Sequence, residues 1–136
     1  MGYASPSIGY TGYVASDDIL TSDDTEQTNS TTDYVVVYTG RFLNDLRAGS
    51  TLRFTAETYV DVGATSMTTV LSCNGTNLMV LQQTAHAYGG QTKDFDIPEG
   101  CGGKEFEISI KTSSAPHTAH IKLVKIRGKP SPIILD

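Results

Sequence analysis

The chain has 136 residues and a mass of 14.6 kDa, the size of one domain with a single hydrophobic core. Only 18% of its residues are charged, and 18 Thr, 9 Val and 9 Ile give it the β-branched composition typical of strands. No stretch approaches the roughly 18 apolar residues of a membrane-spanning helix and no heptad repeat is sustained, so membrane insertion and a coiled coil are both excluded.

Residues 1–16 are predicted to form a flexible N-terminal arm. The segment repeats a Gly-Tyr pair three times and lacks the alternating apolar face that would order it alone. It has neither the basic start nor the apolar centre of a secretory signal peptide. Two interpretations stay open: a disordered tail, or an arm that binds a neighbouring subunit through Tyr3, Tyr10 and Tyr13.

The charge of the chain changes after residue 40. Residues 1–40 contain six acidic residues and no Lys or Arg, whereas residues 41–136 contain nine acidic and ten basic residues. An acidic segment cannot neutralise the phosphates that dominate nucleic-acid affinity. The four basic residues near the end of the last strand are typical of a solvated strand face, so we expect no nucleic-acid partner.

Residues 33–39 form a predicted strand that contains three consecutive valines. Such a run is expected where both faces of a strand are covered, so we predict a central strand or one that pairs with the arm. Residues 41–49 break the strand rhythm and form either a single helical turn or a connection between two sheets. Residues 51–62 alternate as a half-buried strand, with these side chains facing the core: Leu52, Phe54, Ala56, Val60 and Val62.

Residues 67–73 and 78–83 form two predicted strands on either side of a segment that contains Asn74-Gly75. An Asn-Gly pair readily takes the positive φ values of a tight turn, so this segment predicts a β-hairpin. Residues 93–97 form a shorter strand that ends at a Pro-Glu-Gly turn.

The last two predicted strands cover residues 105–111 and 119–127. In the first strand, apolar and polar residues alternate with a period of two, as in a half-buried antiparallel strand. In the second, the apolar residues change phase part of the way along. A β-bulge near Leu123 explains this change of phase.

Seven or eight such strands predict an all-β fold, a two-sheet antiparallel sandwich over residues 17–129, with the arm 1–16 before it and a tail 130–136 after it. The segments TDYVVVYTGRF, AGSTLRFTAETYV, FDIPEG, KEFEISIKTSS and AHIKLVKIRGK resemble jelly-roll sandwiches of the carbohydrate-binding-module and galactose-binding-like type, as also found in phage and archaeal-virus structural proteins. The resemblance covers roughly residues 18–129 and implies a jelly-roll topology. The chain departs from the sugar-binding families because it has no Trp.

The two cysteines, Cys73 and Cys101, predict a disulfide, with two separate thiols as the alternative. In the chain-entropy account, such a bridge stabilises the fold by roughly 3 to 4 kcal/mol. It is typical of an oxidising compartment, a virion surface or a hyperthermophilic source. The three histidines, His86, His117 and His120, are expected to be exposed loop residues.

A structural calcium ion is the one cofactor that the sequence suggests. Carboxylates are the ligands that Ca²⁺ prefers, and the resemblance implies such a site near the start of the domain. The carboxylates do not follow the EF-hand spacing, and a solvated acidic loop is the alternative. The candidate ligands are Asp17, Asp18, Asp23 and Asp24.

Catalysis has little support in the sequence. No serine lies in a Gly-x-Ser-x-Gly elbow, and no glycine-rich phosphate loop follows a strand. Glu105 and Glu107 share one strand face, so a carboxylate pair for glycoside chemistry is conceivable, with solvated strand carboxylates as the alternative. We therefore expect no enzyme.

The main hypothesis is a non-enzymatic structural or interaction protein, for instance a component of a virion or an extracellular surface, that associates with copies of itself. Either the arm or the apolar end of the tail, with Ile133, Ile134 and Leu135, would engage the neighbouring subunit. The alternative is a small carbohydrate-binding module that uses exposed tyrosines as stacking faces. Its candidate residues are Tyr38, Tyr59 and Tyr88.

Overall fold

The computed structural model describes residues 19–43, 46 and 48–128, and within these ranges it contains strands and no helix. No part of the described chain therefore forms a helix that could cross a membrane. The strands are β1 (Ile19–Asp23), β2 (Gln27–Asn29), β3 (Val35–Arg41), β4 (Thr51–Val60), β5 (Met67–Cys73), β6 (Thr76–Gln83), β7 (Gly89–Asp96), β8 (Glu105–Thr112) and β9 (Ala119–Gly128).

The strands form two antiparallel sheets that pack face to face. The larger sheet has the order β1-β9-β4-β7, and β2 pairs with β9 beyond β1. The smaller sheet has the order β3-β8-β5-β6. The inward side chains of both sheets form one core, so the predicted two-sheet antiparallel sandwich is confirmed. Its largest fully buried side chains include Phe54, Leu52, Met67, Leu71, Ile97, Ile108, Ile110, Ile121 and Ile126.

The centre of the larger sheet follows the sequence pattern closely. Every second side chain of β4 is buried, as predicted, and β4 ends at Val60. The prediction that Val62 faces the core is wrong, because the chain turns after β4 and leaves this side chain exposed. The predicted bulge is confirmed at Leu123, which has a φ of 55° where the pairing of β9 with β4 changes register.

The hairpin between β5 and β6 is confirmed. Cys73 pairs with Thr76, and the two residues between them, Asn74 and Gly75, have φ values of 53° and 79°. Both turn residues are therefore left-handed, as a type I′ turn requires. The predicted disulfide is also confirmed, since Cys73 is bonded to Cys101 with 6.2 Å between the Cα atoms. It joins the end of β5 to the loop that precedes β8.

The strand that contains the three valines is less covered than predicted. Among the described residues, β3 has β8 as its one strand partner, so β3 is an edge strand there rather than a central one. The alternative, a strand that pairs with the arm, involves residues outside the described ones and stays a prediction. Val35 and Val36 are exposed and Val37 is only partly buried. A run of β-branched residues reports strand propensity, and it does not report whether the strand is covered on both faces.

The connection from β3 to β4 joins the two sheets. The predicted bridge between the sheets is confirmed, because β3 lies in the smaller sheet and β4 in the larger one. The amide of Leu46 donates to the carbonyl of Leu43 at 3.2 Å, and the predicted helical turn includes residues outside the described ones. Phe42 and Leu46 are buried, and the Phe42 ring contacts the Phe106 ring with 4.8 Å between centroids. At the far side of this connection, the amide of Gly49 donates to the carbonyl of Ile97 at 2.7 Å.

Candidate functional site

Aromatic and charged side chains meet on the outer face of the larger sheet. The alternation of β4 directs Tyr59 outwards, and the pairing of β4 with β9 places His120 directly opposite it. Tyr88 comes directly before β7, which pairs with the other side of β4. We call this group the Tyr59–His120 cluster; it consists of Glu26, Tyr59, Asp61, Tyr88, His120 and Lys122.

The packing of the three rings leaves one face of the Tyr59 ring without an aromatic neighbour. The Tyr59 and His120 rings are stacked, with 4.0 Å between centroids and 7° between planes. Tyr88 lies 4.5 Å from Tyr59 at 82°, and 6.5 Å from His120. These distances make a triangle with an angle of about 100° at Tyr59, so Tyr88 lies beside the Tyr59 ring. Neither neighbouring ring covers the face of Tyr59 opposite to His120.

Two carboxylates hold the polar edges of the rings. His120 Nε2 lies 2.9 Å from Asp61 Oδ1, and His120 Nδ1 lies 3.6 Å from Glu26 Oε2. The hydroxyl of Tyr88 donates to the same carboxylate of Glu26. Asp61 therefore fixes one edge of His120 and Glu26 lies near the other, with 15% of the His120 side chain exposed.

Both carboxylates are charged at neutral pH. The hydrogen bond from Tyr88 lowers the pKa of Glu26, and the hydrogen bond with His120 lowers the pKa of Asp61. Burial, together with the nearby charge of Glu26, raises the pKa of Tyr88. The cluster thus presents ionised oxygen acceptors beside neutral phenol rings.

An open space lies beside the cluster. Glu57 of β4 pairs with Gly90 on one side and with Lys122 on the other, so all three lie on the outer face. A Cβ atom placed on Gly90 would meet nothing within 4 Å. The Lys122 Nζ lies 4.1 Å from the centroid of the Tyr88 ring, a cation–π contact. The space above Gly90 therefore has charged groups and a tyrosine ring around it.

Of the three tyrosines predicted to be exposed, the structure brings two together. Tyr59 and Tyr88 are partly exposed and belong to the cluster, whereas Tyr38 is only 7% exposed and lies in the core. The prediction of an exposed ring at Tyr38 is wrong. The register of β3 shifts between Val36 and Tyr38, and the Tyr38 hydroxyl donates to the carbonyl of Thr25. Burial raises the pKa of Tyr38 to about 12.

His120 was not predicted as a site residue. The expectation of an exposed loop histidine is wrong for it, because it lies within β9 and stacks on Tyr59. Its place in the cluster depends on the β4–β9 register, which the sequence signals only through the bulge. His86 and His117 do lie in loops; a ring nitrogen of His86 is 2.8 Å from the carbonyl oxygen of Val60.

Several predicted site residues lie outside the described part of the chain. They are Tyr3, Tyr10, Tyr13, Asp17, Asp18, Ile133, Ile134 and Leu135. The other two calcium candidates, Asp23 and Asp24, are exposed, and the Asp23 carboxylate accepts the amide of Thr25 at 2.8 Å. The described residues contain no group of three or more His, Cys, Asp or Glu that could hold a metal ion. The calcium site stays a prediction.

A second concave region lies on the outer face of the smaller sheet. It is a cleft of about 330 Å³ beside the β5–β6 turn. Glu105 and Glu107 line it together with Lys104 and Ser72, so the predicted carboxylate pair is open to solvent. The residues that line this cleft include no aromatic ring.

Comparison with known proteins gives the class of fold. No protein-family model matches the chain, and no curated protein matches its sequence. Among solved structures, a family 16 carbohydrate-binding module has a TM-score of 0.53 at 12% identity over 73% of each chain. The CBM36-1 domain of a xylanase from the hindgut metagenome of Trinervitermes trinervoides has a TM-score of 0.52 at 20% identity, over 76% of this chain and 78% of that one.

A third structure contains a catalytic module as well. It is the CBM22-1-GH10 part of the Clostridium thermocellum xylanase 10B, with a TM-score of 0.54 at 11% identity. The match covers 88% of this chain but only 30% of the xylanase chain. At these identities the similarity establishes the fold: the chain is a jelly-roll sandwich of the carbohydrate-binding-module type, as the sequence resemblance predicted.

Proposed function

We propose that this chain is a non-catalytic carbohydrate-binding domain that binds a glycan at the Tyr59–His120 cluster. The single observation that carries the proposal is the Tyr59 ring, which His120 supports from one side and neither neighbouring ring covers on the other. The fold supports the same class of function, because the similar structures include carbohydrate-binding modules of several families. The sequence alternative of a tyrosine-based binding module is thus preferred to the hypothesis of a virion component.

The chemistry of the cluster fits a sugar ring. The C–H face of a pyranose is apolar and packs against an aromatic ring, while its hydroxyl groups need partners in the plane of the sugar. Glu26, Glu57 and Asp61 supply acceptors for sugar hydroxyls, and Lys122 supplies a donor. The open space above Gly90 gives the sugar room beside the Tyr59 ring.

The cluster is also held in place before any ligand binds. Asp61 fixes one edge of the His120 ring, Glu26 lies 3.6 Å from the other, and His120 in turn supports Tyr59. A ring that is already fixed loses little conformational entropy on binding. His120 and Asp61 therefore act as positioning residues for the Tyr59 platform.

Affinity electrophoresis in gels that contain soluble polysaccharides tests the proposal. The panel should include xylan, mixed-linkage β-glucan, mannan and hydroxyethyl cellulose, with the dissociation constant of each retarded polysaccharide then measured by calorimetry. We expect Tyr59→Ala to weaken the binding roughly fivefold to thirtyfold, because the lost stacking is on the order of 1 to 2 kcal/mol. Tyr88→Ala should weaken it less, since its ring lies at the edge of the platform.

Tyr34→Ala is the matched control for these variants. Tyr34 is an exposed tyrosine directly before β3, and its ring contacts Lys111 rather than the cluster. It should bind as the unchanged protein does. Absence of retardation by every polysaccharide, or an equal loss of affinity in the Tyr34 and Tyr59 variants, would count against the proposed site.

A further inference from the structure

The outer edge of β3 has an unusual composition for an exposed strand edge. In the described chain, β8 is its one strand partner, and Tyr34, Val35 and Val36 are 46%, 43% and 44% exposed. Residues 35–40 contain no charged residue and no proline. Natural sheets usually protect their edges with charges, prolines or a covering segment, because an open edge pairs readily with another chain.

The other described edges carry such protection. At β6, the carbonyl of Gln82 accepts the side-chain amide of Gln91 at 2.7 Å, which joins that edge to the larger sheet. The β7 edge carries Lys93 and Asp96, and the β1 edge carries Asp23. β6 is also uncharged, but it has one exposed large apolar side chain, Val80, whereas Tyr34, Val35 and Val36 form a row of three at the β3 edge. The charge of β3 lies at its end, on Arg41.

A narrow groove of about 60 Å³ lies between β3 and β1, on the same side of the sandwich. Tyr38 and Thr39 line it from β3, and Ser22 and Asp23 line it from β1. Its floor consists of the core residues Phe106, Ile108 and Val124. The described part of β1 begins at Ile19, three residues before Ser22 of this groove.

We propose that the β3 edge of one copy of this chain is the docking site for residues 1–16 of a second copy, which add to the smaller sheet as a further strand. Addition of an extended segment to a sheet edge relies on backbone hydrogen bonds, which any uncharged sequence without many prolines can supply. Residues 1–16 contain no charged side chain and a single proline. Their three tyrosines add contact area against Tyr34, Val35 and Val36.

The length of the segment is sufficient. β3 has 7 residues, which span about 23 Å as a strand. Sixteen extended residues reach about 50 Å, so the segment can cross to a neighbouring copy and still cover the whole edge. Tyr34, Val35 and Val36 are exposed in the single chain, which is why the proposed occupant comes from a second copy. Two copies that exchange segments form a closed dimer, and successive copies form a chain.

Light scattering of the full-length protein and of three variants tests the proposal. The full-length protein should have at least twice the mass of one chain, and deletion of residues 1–16 should return it to one chain mass. Val36→Lys places a charge on the β3 edge and should have the same effect. Val80→Lys is the matched control on β6, where Val80 is 49% exposed, and it should leave the mass unchanged.

Further measurements distinguish a loss of association from a loss of folding. Near-ultraviolet circular dichroism checks that Val36→Lys is folded, and the isosteric Val36→Thr provides a milder change that should still weaken association. A synthetic peptide of residues 1–18 should bind the deletion variant but not its Val36→Lys version. A monomeric full-length protein overturns the proposal. If the full-length protein is monomeric and the deletion variant binds the peptide, residues 1–16 cover the β3 edge of their own chain. An oligomer that survives the deletion or Val36→Lys also overturns it.

Discussion

The Tyr59–His120 cluster and the β3 edge are both exposed, but they differ in which groups remain unpaired. In the cluster, the described side chains are largely paired with one another, and the available surface is one ring face with ionised oxygens around it. At the β3 edge the available groups are the backbone and three apolar side chains. The cluster therefore suits a flat, hydroxyl-rich ligand, whereas the edge suits another polypeptide.

The two regions lie on different sheets, so mutations should separate them. A ligand that binds the cluster leaves the edge free, and a second copy at the edge leaves the cluster free. Carbohydrate binding and self-association are therefore compatible within one molecule.

The largest difference should be seen between two tyrosines. Tyr38→Ala removes a buried ring from between the sheets and should lower the free energy of unfolding by about 3 to 5 kcal/mol. Tyr59→Ala removes a partly exposed ring and should cost less than about 1.5 kcal/mol. Urea unfolding followed by circular dichroism measures both. Equal losses would mean that Tyr59 belongs to the core rather than to a binding surface.

Removal of the disulfide should affect the sheet that carries the β3 edge. The double change Cys73→Ser with Cys101→Ser should lower the free energy of unfolding by about 3 to 4 kcal/mol, because the unfolded chain gains conformational entropy. Glycan affinity measured well below the melting temperature should stay the same, since the cluster lies on the other sheet. A loss below about 1 kcal/mol would contradict the entropic account.

Gly90→Val tests the open space beside the cluster. A valine suits a strand, so the free energy of unfolding should change by less than about 1 kcal/mol. The new side chain would occupy the space above the sheet and should reduce glycan affinity about tenfold, which equals about 1.4 kcal/mol. Gly89→Ala is the control, because that Cβ faces Gln83 on the inner side. Unchanged affinity in Gly90→Val would place the ligand elsewhere.

The smallest effect should come from acid pH. The pKa of Asp61 is lowered in the folded state by the hydrogen bond with His120, so its contribution is fully present above the ordinary value of 3.8. It is lost as the pH falls through the lowered folded value. The difference in melting temperature between the unchanged protein and Asp61→Asn should therefore shrink when the pH is lowered from about 6 to about 2. A difference that does not depend on pH would contradict this role.

The sequence predicted those features of the fold that depend on local pattern. The burial of alternate residues in β4, the hairpin at Asn74-Gly75 and the bulge at Leu123 all follow from side-chain periodicity and turn chemistry. The disulfide was predicted from two cysteines with no competing partner. The candidate site was predicted only in part, because Tyr59 and Tyr88 could be chosen as outward tyrosines but their neighbours could not.

Local sequence patterns specify the all-β class, the boundaries of most strands and the faces of the regular ones, since these depend on residues a few positions apart. Contacts between distant residues follow from the tertiary structure. The register of β4 against β9 joins Tyr59 to His120, a shift in β3 turns Tyr38 inwards, and the strand order leaves Val35 and Val36 at an edge. Each of these outcomes depends on which strands far apart in the chain pair with one another, and the side-chain pattern within one strand does not identify its partner.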